Sequence, residues 1–193
     1  IKILKIQMKT NFNKYFLYYL SLLFLFSVIF LIKKHNVGND STISEWLINY
    51  SGGFTKRGII GHLSIIIANY FSIGLRDVIL FFQIALIGTY FIFLFNFLKN
   101  IKMNKIIILS IFTPIFILYP VAEMEVLARK EVFVFCIFII YLFLNNFFLK
   151  DIYKIFILPF AVLIWEPVIF YFIFFFAVDI FDRNFMKINK KFI

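Results

Sequence analysis

The chain has 193 residues, 63% hydrophobic and 22% aromatic, with a mean hydropathy of +0.97. A soluble globular domain is about 45–50% apolar, and the recurring apolar runs here have the length that bilayer-spanning helices require. The formal charge of +10 comes from 20 basic against 10 acidic residues. Those basic residues fall between apolar runs, so lipid headgroups and membrane orientation account for them and a nucleic-acid partner is not expected. The composition predicts an all-α integral membrane protein, a single domain over 1–193 with about 5–6 transmembrane helices.

Lys2, Lys5, Lys9 and Lys14 precede the first apolar run, 15–32. No small-residue cleavage site follows it before Lys33, Lys34 and His35. The run reads as an uncleaved signal anchor with a cytoplasmic N-terminus. The chain opens on Ile1 while Met8 makes a more natural start, so a fragment or a misplaced start is expected.

The next segment, 33–76, is the one long polar interruption. Thr42 and Glu45 have capping-box spacing, and a helix over 42–50 puts Ile43, Trp46, Leu47 and Tyr50 on one face. Short, amphipathic and aromatic, it suits the membrane interface, and Ser51, Gly52 and Gly53 stop it. A second helix is expected over 56–72, with Gly58, Gly61, His62, Ser64, Ala68 and Asn69 as its small and polar stripe. At about 1.5 Å per residue it is marginal for a ~30 Å hydrocarbon core.

Further spans are expected at 75–100, at 106–121 with Pro114 and Pro120 kinking it, and at 132–149. A charged loop, 122–131, precedes the third of these and includes Glu123, Glu125, Arg129, Lys130 and Glu131. The last run, 155–181, is about 40 Å as one helix, too long without tilt or a break. Glu166 beside Pro167 marks the expected break. If that run breaks and returns while 56–72 stays interfacial, 13 of the 20 basic residues lie inside. The polar loop, 122–131 and Glu166 then share one face.

The sharpest chemical element is NYSGGFTKR at 49–57. A Gly52-Gly53 turn feeding a helix start offers unpaired backbone N–H groups to an anion. Lys56 and Arg57 add charge, and arginine can grip a phosphate bidentately. Asn49 and Tyr50 support the turn. Asp40 and Glu45 are candidate catalytic carboxylates, as general base or as ligand to a divalent cation. Capping alone also explains Glu45. Arg129 and Lys130 abut a span, where charge is costly unless paired or used, and a Glu125–Arg129 helical pair is the plain alternative. Glu166 is an intramembrane carboxylate, a third catalytic candidate, with Arg57 or Arg129 as partner. Its plain alternative is a neutral acid bonded to carbonyls freed by Pro167. His62 reads as packing or hydrogen bonding. His35 and His62 are too few and too far apart for a metal site, and the single cysteine, Cys136, lies inside an apolar run.

The YSGGFxKRGxxG segment at 50–61, followed by Arg129, Lys130 and Glu131 before a later span, resembles uncharacterised bacterial polytopic membrane proteins. Their layout is similar to the GT-C class of glycosyltransferases and polysaccharide polymerases. The resemblance implies a bacterial cytoplasmic-membrane enzyme using a lipid-phosphate-linked sugar. The segments 42–50 and 56–72 match its juxtamembrane helices, and Asp40 its acidic residue. The chain departs from the class in having no Asp-Asp or Asp-x-Asp pair in this loop and fewer spans. A transporter or lipid flippase with a broken helix at 165–167, or a non-catalytic membrane subunit, are the alternative readings.

Overall fold

The computed structural model describes residues 2–37, 41–99, 101, 104–111, 113, 121 and 127–191. Among these the chain is all-helical, with no strand. The elements are α1 (Lys2–Asn36), α2 (Ser41–Leu47), α3 (Ile59–Phe71), α4 (Leu75–Leu98), α5 (Lys105–Ile111), α6 (Glu131–Phe143), α7 (Phe147–Ile164) and α8 (Val168–Lys191). Among the described residues two stretches are long and apolar enough to cross a membrane, Asn13–Asn36 within α1 and Leu75–Leu98.

The ends of the helices fix how they run. Asp77 lies 3.0 Å from His35 Nε2 and Arg76 donates to the His35 carbonyl at 2.8 Å, joining the end of α1 to the start of α4. At the other end Phe16 stacks on Phe95. These helices are therefore antiparallel. Going up α4, Tyr90 meets Phe135 and Phe97 meets Phe143, so α6 runs parallel to α4. The core between them buries Phe16, Leu20, Ile87, Phe91, Leu94, Val132 and Cys136.

Two predicted boundaries need correction, and a third span lies largely outside the described residues. The expected span 132–149 is two elements: α6 stops at Phe143, and Asn146 caps α7 by accepting the backbone N–H of Phe148. Two adjacent asparagines, Asn145 and Asn146, interrupt the apolar run there, and Asn offers the backbone a local bond that competes with helix. At 13 residues α6 is about 20 Å long. The run 155–181 does break where expected, with Trp165 extended after Ile164, but its first helix begins at Phe147 and carries Pro159 without stopping. Of the span 106–121, only 105–111 is a described helix, and Pro114 and Pro120 lie outside the described residues.

After the break the chain turns back. Lys150 pairs with Asp182, and Lys154 with both Asp151 and Asp179, so α7 and α8 are antiparallel. The Tyr141 hydroxyl also donates to Asp179, tying α6 into this hairpin. Sequence reading missed this network. Its signal was Asp179 in an apolar run, in contact with Lys154 in space but 25 residues away in sequence.

The outward faces are apolar as well. Leu22, Leu25, Phe26 and Ile29 of α1 and Phe170, Ile173, Phe174 and Phe181 of α8 are all exposed.

Candidate functional site

The antiparallel and parallel pairings place four connections at one end of the bundle: the end of α1, the loop from α2 to α3, the turn before α6, and the apex between α7 and α8. Charged side chains from three of these meet there.

The short α2 is held by its apolar face. Ile43 and Trp46 are buried against Ile79 of α4. The Trp46 indole N–H also donates to the Ala128 carbonyl at 3.1 Å, fastening α2 to the turn before α6. Between these two anchors Glu45 faces two arginines. Its Oε1 is 3.3 Å from Arg57 Nη1 and its Oε2 is 3.7 Å from Arg129 Nε. Arg129 in turn pairs with Glu131 at 3.1 Å.

The helix ends at Leu47, not at Tyr50 as the periodicity predicts, because Asn49 competes for the backbone. Its amide donates to the Leu47 carbonyl, its side-chain oxygen accepts the Ser51 N–H, and its own carbonyl accepts the Thr55 hydroxyl, all at 2.9 Å. Tyr50 thus leaves the predicted helical face. Its ring stacks on Phe54 and lies 5.6 Å from the His62 ring.

The glycines divide into two kinds. Gly53 adopts φ +116°, which an L side chain resists. Gly52 and Gly53 are exposed in a turn five residues before α3, so they do not feed the helix start as the motif predicts. The glycines at that start are Gly58 and Gly61, and both are covered. A Cβ on Gly58 would meet the Tyr50 ring at 2.5 Å, and one on Gly61 would lie 2.0 Å from the Ile48 carbonyl oxygen. Close approach of the Tyr50 and Thr55 side chains at 58, and of the Ile48 and Trp46 backbone at 61, explains those two positions. Along α3, Gly61, Ser64 and Ala68 form the buried stripe, while Asn69 is exposed.

Arg57 has φ 66° and Ala128 φ 55°, uncommon for residues with a Cβ. Each is held through its carbonyl by a side chain from the other segment. Trp46 donates to Ala128, and Lys130 Nζ donates to Arg57 at 2.9 Å. Lys130 is fully buried. Burial brings its ammonium down to about 8, Glu45 opposing and Arg57 reinforcing the shift. Strain of this type, of order 1–3 kcal/mol per residue, clusters at functional sites when surrounding contacts impose it.

Glu166, at the apex between α7 and α8, lies 3.9 Å from Lys56 Nζ and 3.8 Å from Arg57 Nη2. Its neighbours are thus cations on the polar loop, and Arg57 is the partner, as one of the two predicted. Arg129 sits on the far side of Glu45. Beside this pair opens a cleft of about 370 Å³, lined by Phe54, Lys56, Arg57, Leu163, Glu166 and Phe170. Cations stand at its lip and apolar residues form its wall.

Glu45, Arg57, Arg129, Lys130 and Glu166 therefore come together, with Lys56 at the edge. Asp40, Glu123 and Glu125 lie outside the described residues, and with them the Glu125–Arg129 pair. Among the described residues no three His, Cys, Asp or Glu side chains gather to hold a metal ion. The described residues of the network do not by themselves make a divalent-cation site. No family model, curated protein or solved structure matches the chain.

Proposed function

We propose that this is a bacterial cytoplasmic-membrane protein with about five to six membrane passages and a cytoplasmic N-terminus, acting as a GT-C-like glycosyltransferase or polymerase of cell-surface polysaccharide or glycolipid synthesis. The observation that carries the reading is the meeting of Lys56 and Arg57 with Glu45, Arg129 and Glu166 at one end of the bundle, beside an apolar-walled cleft. A lipid-phosphate-linked sugar has the matching form, an anionic group joined to an apolar chain.

In this reading Lys56 and Arg57 bind the donor phosphate. The acceptor hydroxyl attacks the anomeric carbon, the carbon–oxygen bond to the lipid phosphate breaks, and the hydroxyl proton passes to a carboxylate. Both oxygens of Glu45 face arginines, so Glu45 positions Arg57 and Arg129. The proton then falls to Asp40, which immediately precedes α2. Negative charge grows on the leaving phosphate oxygens, where the fixed charge of Arg57 lowers the barrier.

The helical break at 165–167 joins two antiparallel helices, and a carrier with its site at that break is the alternative. The test uses the full chain in lipid nanodiscs with a polyprenyl-phosphate-linked hexose and a sugar acceptor. Release of polyprenyl phosphate with a new glycosidic product is expected. Asp40→Asn and Arg57→Ala should each lower the rate by about a hundredfold while the protein still folds. Full activity in both variants sinks the reading, and flux across a vesicle with no covalent product points to a carrier.

A further inference from the structure

We infer that Glu166 is the resident counter-ion of the phosphate seat: a displaceable carboxylate that occupies Lys56 and Arg57 until an anionic ligand takes its place. The inference rests on the reading above that these two cations bind phosphate.

The distances within the network separate fixed pairs from loose ones. A charge-assisted N–H···O bond spans about 2.7–2.9 Å. Arg129–Glu131 at 3.1 Å and Arg57–Glu45 at 3.3 Å approach that; Glu45 also stands 3.7 Å from Arg129, whereas Glu166, at 3.8 and 3.9 Å from its two cations, has no closer partner among the described residues. Glu45 is buried on the inner side, with a side chain 17% exposed, while Glu166 is 34% exposed at the cleft. Its backbone belongs to the helix break, between Trp165 with extended dihedrals and the start of α8 at Val168. Among the described residues its carboxylate is held by two ion pairs of 3.8 and 3.9 Å and by no hydrogen bond.

Each Glu166 oxygen faces a different cation, Oε1 to Lys56 and Oε2 to Arg57. Two oxygens spread across an ammonium and a guanidinium are what a phosphate presents as well. Lys56 and Arg57 supply two positive charges and Glu166 one negative charge. With Glu166 in place the seat offers a net single charge, and a phosphate has to compete with a tethered anion. With Glu166 turned outward, both cations face the ligand. Arg57 keeps its position throughout, because Glu45 holds its guanidinium and Lys130 its carbonyl. The exchange thus changes the occupant of the seat and leaves its geometry unchanged.

The assay reads both tryptophans of the chain. Trp46 adjoins Glu45, and Trp165 adjoins Glu166, each at most 8% exposed. Full-length protein in nanodiscs is titrated with dodecyl phosphate, following tryptophan emission, with dodecyl maltoside as the neutral control. Glu166→Gln keeps the shape and removes the charge. It should tighten dodecyl phosphate binding by about two- to tenfold, the loss of two partly exposed ion pairs that the ligand no longer has to break. Arg57→Gln should abolish binding in either background.

The outcomes are distinguishable. If Arg57→Gln binds as well as the unaltered chain, the phosphate seat itself is wrong. If Arg57→Gln loses binding while Glu166→Gln binds equally or more weakly, the seat stands and the counter-ion role is overturned. A Glu166→Gln protein that no longer folds also overturns it, since a displaceable carboxylate cannot be required for folding.

Discussion

Replacing Gly61 by alanine is the most demanding test of how the polar loop is packed. The new methyl carbon would lie 2.0 Å from the Ile48 carbonyl oxygen, 2.7 Å from its carbonyl carbon and 2.8 Å from the Trp46 carbonyl oxygen. All three are backbone atoms, so no rotamer change relieves the clash. The segment after α2 has to move by more than about 1 Å to restore a van der Waals contact. Such overpacking costs about 1–3 kcal/mol, and the shift also strains the Trp46–Ala128 hydrogen bond that fastens α2 to the turn before α6. For a chain of this length the unfolding midpoint should fall by about 2–12 °C. Gly52→Ala is the matched control, because nothing lies within 4 Å of a Cβ there and its φ is ordinary. The two variants are compared in nanodiscs by thermal scans of tryptophan emission. If Gly61→Ala unfolds within a degree of Gly52→Ala, the close approach of α3 to Ile48 is not the reason for glycine at 61, and the packing account fails.

Lys130 predicts a pH effect whose sign follows from its lowered pKa. Between about 8 and the ordinary lysine value near 10.5 the unfolded chain binds the proton more tightly than the folded one, so this lysine makes stability rise with pH across that window. Lys130→Met should remove that component, and parallel chemical unfolding at pH 7.5 and pH 9.5 measures it; an unchanged pH slope refutes the burial argument. In the α7–α8 hairpin, Asp179→Ala leaves Lys154 with Asp151 alone and takes an acceptor from Tyr141. It should destabilise by about 3–5 kcal/mol, and the double change Lys154→Met with Asp179→Leu should recover most of that. A single variant without effect would show the pair to be superficial. Finally, with Cys136 replaced, a cysteine at Ser72 and one at Glu166 should react with an impermeant maleimide from the same side of the membrane, and one at Lys99 from the opposite side. Labelling of positions 72 and 166 from opposite sides would dissolve the composite site.

Much of the fold was legible because lipid-length apolar runs carry a strong signal. The bounds 75–98 for α4 lie within two residues of the expected 75–100, and the break at Trp165 and Pro167 falls where a proline beside a carboxylate predicted it. What the runs concealed were interruptions with weak hydropathy contrast. Asn145 and Asn146 sit between apolar residues and hardly change a window average, yet the Asn146 side chain is a helix cap. The same holds for Asn49, which ends α2 three residues early by bonding its own neighbours. Periodicity reads which face a helix buries. It cannot weigh a single amide that competes for the backbone.

The meeting of charged residues was more legible than its wiring. Arg57 was one of two expected partners of Glu166, with Arg129, and the charged residues at 129–131 were expected near the loop. The sequence gives no distance from Glu45 to Arg129, 84 positions later, and nothing in the spacing says that Lys130 would hold the carbonyl of Arg57. Both links depend on the parallel packing of α6 beside α4, a long-range fact. The glycines show the same division. The pattern reads as a phosphate-binding turn at Gly52 and Gly53, but these two are exposed and the covered pair is Gly58 and Gly61. A glycine motif states only that side chains are absent. Whether a ligand or the protein itself fills the space is decided by the fold, and at 58 and 61 it is the Tyr50 ring and the Ile48 backbone. Among the described residues Lys56, Arg57 and Glu166 stand at a cleft with apolar walls, and the phosphate site proposed above lies there and not at the turn.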